Sequence, residues 1–254
     1  MMTSLADGKS TINNAAKEPE VIALADMLNK MGAKITGQGT STISIEGVSN
    51  LNGAKFSIVD DKRLEGKDDR IVYVNDALKA LQDLSNYHRS LFDTKVIGIT
   101  GSNGKTTTKN LIYSILSQSY NVIKTKGNLN NHIGVPLSLL DINENVDIAV
   151  IEMGANHIGE IMALCEIAMP DFGLITNYGH AHLEGFGGFE GVIKGKSEMF
   201  EYLTQNYGHI ILNNDDKIQI KNCKGDLAIT FGQKKDSEFV FKYKKEQNFL
   251  SFEN

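Results

Sequence analysis

VIGITGSNGKTTTKN, residues 96–110, decides the fold of the chain around it. An apolar run ends at Thr100, and a turn follows through Gly101, Ser102, Asn103, Gly104, Lys105, Thr106 and Thr107. A helix then starts, with Leu111, Ile112, Ile115 and Leu116 on one face. Strand, glycine turn and helix in this order predict a phosphate-binding loop. Glycines let backbone N–H groups converge on phosphate oxygens, and the helix N-terminus adds the positive end of its dipole. Lys105 is placed to neutralise the β- and γ-phosphates of a nucleotide, and the Thr106 hydroxyl to ligate Mg²⁺. The full eight-residue Walker pattern is not met, because Ile99 stands where its first glycine belongs. A tight strand–helix turn with an exposed lysine is the plainer alternative, and the strand before and helix after favour phosphate.

Around this loop the chain alternates. Strands are expected at 96–100, 121–125, 147–153, 172–176 and 209–212, and helices at 106–118, 157–167 and 189–203. Such βαβ alternation predicts an α/β domain, a mostly parallel sheet with helices on both faces. From Ala228 onward, AITFG, EFVFKY and FLSF read as short antiparallel strands, and the pattern is still running at Asn254.

Upstream, Val21, Leu24, Ala25, Leu28 and Met31 share one helical face behind Pro19, a first-turn position that suits proline. Ile43 and Ile45 then alternate with Thr42, Ser44 and Glu46 as a strand. This predicts a small α+β piece ahead of the main domain. The polar stretch 49–55 and the charged stretch 62–70 are candidate boundaries, the first an exposed connector. Residues 75–89 form an expected helix, with Leu78, Leu81, Leu84 and His88 at helical spacing.

The bulk numbers exclude several classes. With 41% hydrophobic and 22% charged residues, 24 glycines and three prolines, the composition is that of a globular protein. A net charge of −5 argues against a nucleic-acid surface, so an anionic substrate needs local cations or metal ions. Two cysteines, Cys165 and Cys223, are too few for a disulfide framework and point to a reducing compartment. Neither a secretion signal nor a membrane-spanning run is expected, which makes the expected location cytoplasmic.

Further chemistry gathers after the strands. Asp147-Ile-Ala-Val-Ile-Glu152 reads as a buried strand ending in a carboxylate. Ligand sites of open α/β sheets lie beyond strand carboxyl ends, so Glu152 suits a nucleotide-bound Mg²⁺. A carboxylate that caps or pairs with a surface cation fits equally well. The segment from Gly179 to Phe189 puts His180, His182 and Glu184 among glycines. His-x-His suggests zinc, but no partners stand at zinc-site spacing. Lys194 and Lys196 read, on composition alone, as a solvated helix face.

TGSNGKTTTKN, TKGNLNNHIGVPLSLL, IEMGANHIGEI, AHLEGFGGFEGVIKGKSEMF and ILNNDD resemble, in order and spacing, the central ATPase domain of the Mur ligases, above all their D-alanyl-D-alanine-adding branch. The resemblance runs from about Phe56 to the C-terminus. It implies an ATP- and Mg²⁺-dependent ligase of peptidoglycan precursor synthesis, with UDP-N-acetylmuramoyl-tripeptide and D-alanyl-D-alanine as substrates, working as a monomer. Matched residue by residue, Lys105 corresponds to the family's phosphate-binding lysine and Thr106 to the adjacent Mg²⁺ ligand. Glu152 and His182 correspond to its metal-binding glutamate and histidine, and Lys196 to the lysine that members carbamylate into a metal ligand. Asn128, Asn130 and Asn131 fall in the substrate-contact segment, and Asn213 and Asp216 in the stretch that approaches adenine.

Residues 2–48 resemble a fragment of a different family, the enolpyruvyl transferases, without that family's catalytic cysteine loop. The expected organisation is therefore a 1–53 fragment, a 54–94 remnant of the ligase N-terminal domain, and an incomplete 95–254 central domain. The ligase C-terminal domain is expected to be absent, and the chain to be truncated or chimeric and of little activity alone. A non-catalytic ATP-binding module and an enolpyruvyl transferase are the competing readings.

Overall fold

The computed structural model describes residues 8–15, 17, 19–30, 32–48, 56–224, 227–246 and 249–253. The 49–55 connector lies outside them, as does Met31 of the expected apolar stripe, and the side chain of Leu24 is likewise not described. The chain divides into two compact units, Met1–Ala80 and Leu81–Asn254.

In the first unit, β1 (Lys9–Asn13), β3 (Thr42–Glu46) and β2 (Lys34–Thr36) form an antiparallel sheet in that order, with α1 (Pro19–Lys30) between β1 and β2 in sequence. The expected alternation of β3 holds: Ile43 and Ile45 turn inward and join Ala25, Leu28, Ala33 and Ile35 in a small core. Asn29 at the end of α1 pairs its amide with both Ile35 N–H and C=O, at 2.7 and 2.8 Å. A parallel pair follows, β4 (Ser57–Val59) with β5 (Ile71–Tyr73). The helix α2 (Ala77–Ser90) then runs across the division.

The second unit is built on seven parallel strands. They are β6 (Lys95–Thr100), β7 (Val122–Lys124), β8 (Ile148–Glu152), β9 (Phe172–Ile175), β10 (His209–Asn213), β11 (Ala228–Gly232) and β12 (Phe239–Val240). Their order is β12-β11-β10-β9-β6-β8-β7, with every pairing parallel. The connecting helices are α3 (Lys105–Leu116), α4 (Gly134–Leu139), α5 (Glu160–Ala168), α6 (Leu183–Phe186), α7 (Phe189–Gln205) and α8 (Lys217–Asn222). Last comes a hairpin, β13 (Lys242–Glu246) with β14 (Phe249–Glu253).

The antiparallel reading of the C-terminal stretch is right only for that hairpin. AITFG is β11, parallel to β10, because α8 intervenes and a helical crossover returns the chain in the same direction. Phe239–Val240 extends the same parallel sheet.

Strand alternation sorts the faces. Val96, Ala149, Ile151 and Met153 enter the main core with Val135 and Leu139 of α4, Ile161 and Leu164 of α5, and Met199, Phe200 and Leu203 of α7. Glu152 points the other way and meets Thr106 and Lys109 of α3. The inward side of α3 is one notch round from the expected face: Leu111 and Ile115 are exposed, at 59% and 66%, while Lys109 is 1% exposed. α2 differs in the same sense, with Leu78 and Leu84 exposed and Ser85 and Arg89 buried. Arg89 is held by Phe92 C=O at 3.0 Å and Asp171 at 3.1 Å. Neither Cys165 nor Cys223 is in a disulfide, and burial pushes the Cys165 thiol up. Among the described residues no helix is long and apolar enough to cross a membrane.

Candidate functional site

The glycine turn emerges at the carboxyl end of β6 with two left-handed residues, Gly101 (φ +139°) and Gly104 (φ +80°). At Gly101 a side chain is also sterically barred, since a Cβ would stand 2.0 Å from Thr176 Oγ1. Gly104 is the N-cap of α3 and carries no side-chain cap, so the first-turn N–H groups are left to a ligand. The segment after β9 pins the turn. Asn103 N–H donates to Asn177 Oδ1 at 3.1 Å, while Thr176 Oγ1 and Asn177 Nδ2 both donate to Asn103 C=O. Gly179 N–H donates to Ser102 Oγ at 2.8 Å. Thr107 is exposed beside it. Sequence reading missed Asn177, whose only signal is its place directly after a predicted strand.

Lys105 folds back over the turn and donates to Gly101 C=O at 2.7 Å and Ser102 C=O at 3.2 Å. Burial lowers its pKa, and the Glu152 carboxylate opposes that shift. Thr106 Oγ1 donates to Glu152 at 3.0 and 3.2 Å. Glu152 is 2% exposed at the end of β8, where Asn130 Nδ2 donates to its Oε1 at 2.8 Å. Lys109 Nζ lies 3.0 Å from its Oε2. The alternative of a surface cap is thereby set aside: Glu152 is interior and faces the loop. Lys109 went unread because a lysine three residues past Thr106 resembles any solvated helix position.

α6 and α7 explain the glycines of the second motif. A Cβ at Gly191 would meet Phe186 C=O at 1.8 Å, and one at Gly195 would meet the Phe186 ring at 2.5 Å. Close packing at these two points seats Phe186 under α7, where Lys196 Nζ stands 5.3 Å over its ring. Lys196 is 1% exposed, so the solvated-face reading does not hold. Among the described residues its amine meets neither a carboxylate nor a hydrogen-bond acceptor. Burial, then the charge of Lys105, push it down to about 8. Lys194 lies instead on the groove side of α7 with Ser197 and Glu201. Glu198 docks α7 onto the start of α5, accepting from Gly159 and Met162 N–H at 2.6 and 3.0 Å. His182 sits at φ +58°, a costly conformation for a side-chain-bearing residue, and leads into α6. His180 stacks on Phe189, centroids 4.8 Å apart.

Lys105, His182, Asn128, Asn130 and Asn131 line one cleft of about 480 Å³, together with Gly154 and Glu160. Asn131 also accepts from Ile133 and Gly134 N–H at the start of α4, a capping role. Asn213 and Asp216 do not line this cleft. Asp216 caps α8, accepting from Ile218 and Gln219 N–H at 2.8 and 3.2 Å, and Asn213 Oδ1 accepts from Asp215 N–H.

The donors suit a hard divalent cation that brings phosphate oxygens with it. The Glu152 carboxylate and the Thr106 hydroxyl meet, and His182 lines the cleft with Lys105, but among the described residues no three His, Cys, Asp or Glu side chains group as a metal cage. The Glu152 carboxylate is opposed by two lysines, Lys109 in a direct ion pair and Lys105 through its charge.

The sequence pattern of the Mur ligase middle domain matches residues 99–253, and that of EPSP synthase (3-phosphoshikimate 1-carboxyvinyltransferase) matches residues 1–63. The chain is 43% identical over 162 residues to the UDP-N-acetylmuramoyl-tripeptide--D-alanyl-D-alanine ligase of Bacillus subtilis (strain 168), covering 64% of this chain and 35% of that protein. It is 45% identical over 143 residues to the like-named ligase of Escherichia coli (strain K12), covering 56% and 31%. The chain thus spans about a third of the length of these relatives. It superposes on the MurF ligase of Thermotoga maritima, solved in complex with ADP, with a TM-score of 0.67 at 33% identity, over 79% of this chain and 47% of that one.

Proposed function

Since the chain belongs to the Mur ligase family, we propose that it carries the nucleotide-binding core of an ATP-dependent ligase joining D-alanyl-D-alanine to UDP-N-acetylmuramoyl-tripeptide. The observation that carries this reading is the meeting of Thr106, on the phosphate loop, with the buried strand-end carboxylate of Glu152. Relatives of 43% and 45% identity bear that ligase's name.

Lys105 and the first-turn N–H groups of α3 hold the β- and γ-phosphates. Thr106 and Glu152 hold one Mg²⁺, and His182 with carbamylated Lys196 a second. The bound ions supply electrophilic pull on the γ-phosphoryl group. The tripeptide carboxylate attacks the γ-phosphorus and ADP departs. The dipeptide amine then attacks the acyl phosphate and phosphate departs. Asn128, Asn130 and Asn131 orient the acceptor along the cleft, and Asn213 and Asp216 border the adenine. A buried, unpartnered amine is suited to carbamylation: its nitrogen bonds to CO₂ and a proton leaves, turning a cation into an anion.

The protein works in the cytoplasm, as a monomer. Residues 1–53 are an enolpyruvyl-transferase-like segment, 54–94 the end of a ligase N-terminal domain and 95–254 the central domain. The separating experiment is ADP release from ATP with the UDP-linked tripeptide, with and without D-alanyl-D-alanine. Dipeptide-dependent release supports the ligase. Tight ATP binding with no release under either condition supports a non-catalytic nucleotide module instead.

A further inference from the structure

The charges around Glu152 set a condition on how metal reaches the site. Both carboxylate oxygens are engaged inside the protein: Oε1 accepts from Asn130 Nδ2 and Thr106, Oε2 from Thr106, and Oε2 is also ion-paired to Lys109. Lys109 differs from Lys105 and Lys196. Lys105 has a phosphate to meet, and Lys196 is open to conversion into an anion. The Lys109 ammonium is sealed in, with 2% of its side chain exposed, and is tied by a second bond to Gly127 C=O at 3.0 Å. That carbonyl heads the loop bearing Asn128 and Asn130.

We infer that Lys109 is a positioning residue that makes metal binding conditional on nucleotide: it neutralises Glu152 from within, so that a divalent cation enters only with the triphosphate. The inference rests on the nucleotide reading above. With Lys105 and Lys109 both set against Glu152, a lone dication meets a carboxylate that is already more than neutralised. A triphosphate reverses that balance and supplies the missing oxygen ligands. The bond to Gly127 places the same ammonium between the metal carboxylate and the acceptor loop, so it also fixes where Asn130 stands.

The test uses Mn²⁺ in place of Mg²⁺, counted by the electron paramagnetic resonance of the free ion, in CO₂-depleted buffer so that Lys196 stays an amine. The unaltered chain is titrated alone and with a non-hydrolysable ATP analogue. Lys109→Gln, which keeps a hydrogen-bond donor and loses the charge, is titrated without nucleotide, and so is the double variant Lys109→Gln/Glu152→Gln. Circular dichroism confirms folding, and Lys109→Met serves as a second route to the uncharged residue. The unaltered chain should bind Mn²⁺ at least about tenfold more weakly alone than with the analogue. Lys109→Gln should gain about tenfold or more in nucleotide-free affinity, the scale expected for one unit charge a few ångströms from a dication. The double variant should lose that gain. Equal Mn²⁺ affinity of the unaltered chain with and without analogue overturns the inference while leaving the nucleotide reading intact, as does a Lys109→Gln chain no better than its parent. Failure of the unaltered chain to bind Mn²⁺ even with the analogue sinks the nucleotide reading itself.

Discussion

The Lys196 ammonium stands over the Phe186 ring at 5.3 Å, and the ring fits there because the residue before that lysine, Gly195, has no side chain. Among the described residues, an aromatic face and no carboxylate is what the amine meets.

Lys196 should therefore carry a carbamate. Incubation with ¹³C-bicarbonate should give a carbamate signal by NMR in the unaltered chain and none in Lys196→Ala. Labelling should rise as pH climbs through about 8, where the amine becomes neutral. Ligase activity of the complete enzyme should fall in Lys196→Ala and return in part with short carboxylates. The same shift fixes a sign for stability. Between about 8 and the ordinary 10.5 the unfolded chain binds the extra proton, so this group's contribution to stability rises with pH in that window. An unlabelled wild type, or labelling that persists in Lys196→Ala, would remove the carbamate from the account.

Gly195→Ala should destabilise the second unit by roughly 1–3 kcal/mol, the usual cost of overpacking, since Phe186 is itself 3% exposed and has nowhere open to go. It should also weaken Lys196 labelling by displacing the ring beneath it. Thermal unfolding checks the first effect and ¹³C labelling the second. A variant matching wild type in both would mean that the tight fit at this glycine has no consequence.

Asp216→Ala should cost about 1 kcal/mol through loss of the α8 cap. Asp216→Asn keeps the cap and removes the charge, so its stability should stay near wild type. If both variants melt alike, capping is not what Asp216 contributes to the fold.

These outcomes depend on features of unequal visibility in the sequence. The loop at Gly101–Thr106 was legible because strand, glycines, lysine and helix are contiguous, and the local chain alone dictates them. The strand-end position of Glu152 was legible for the same reason. Its partner Lys109 was not, because whether a helical lysine faces water or the sheet depends on how the helix is rotated. Apolar Leu111 and Ile115 on the exposed side gave the wrong rotation. The direction of β11 was misread because pairing is set by a non-local neighbour, β10, and by the short α8 between them. The capping roles of Asn131 and Asp216 were hidden behind their match to ligand-binding stretches. Asn and Asp cap helix starts and meet ligands with the same oxygens.

The most direct test of the account is calorimetric titration of Mg-ATP into the unaltered chain and into Lys105→Ala. The substitution removes a charge-assisted phosphate contact worth roughly 1.5–3 kcal/mol. The account predicts saturable binding to the unaltered chain and an affinity about 10- to 150-fold lower in the variant, with the fold unchanged by circular dichroism. Equal affinity in the two chains, or no binding to either, would contradict it.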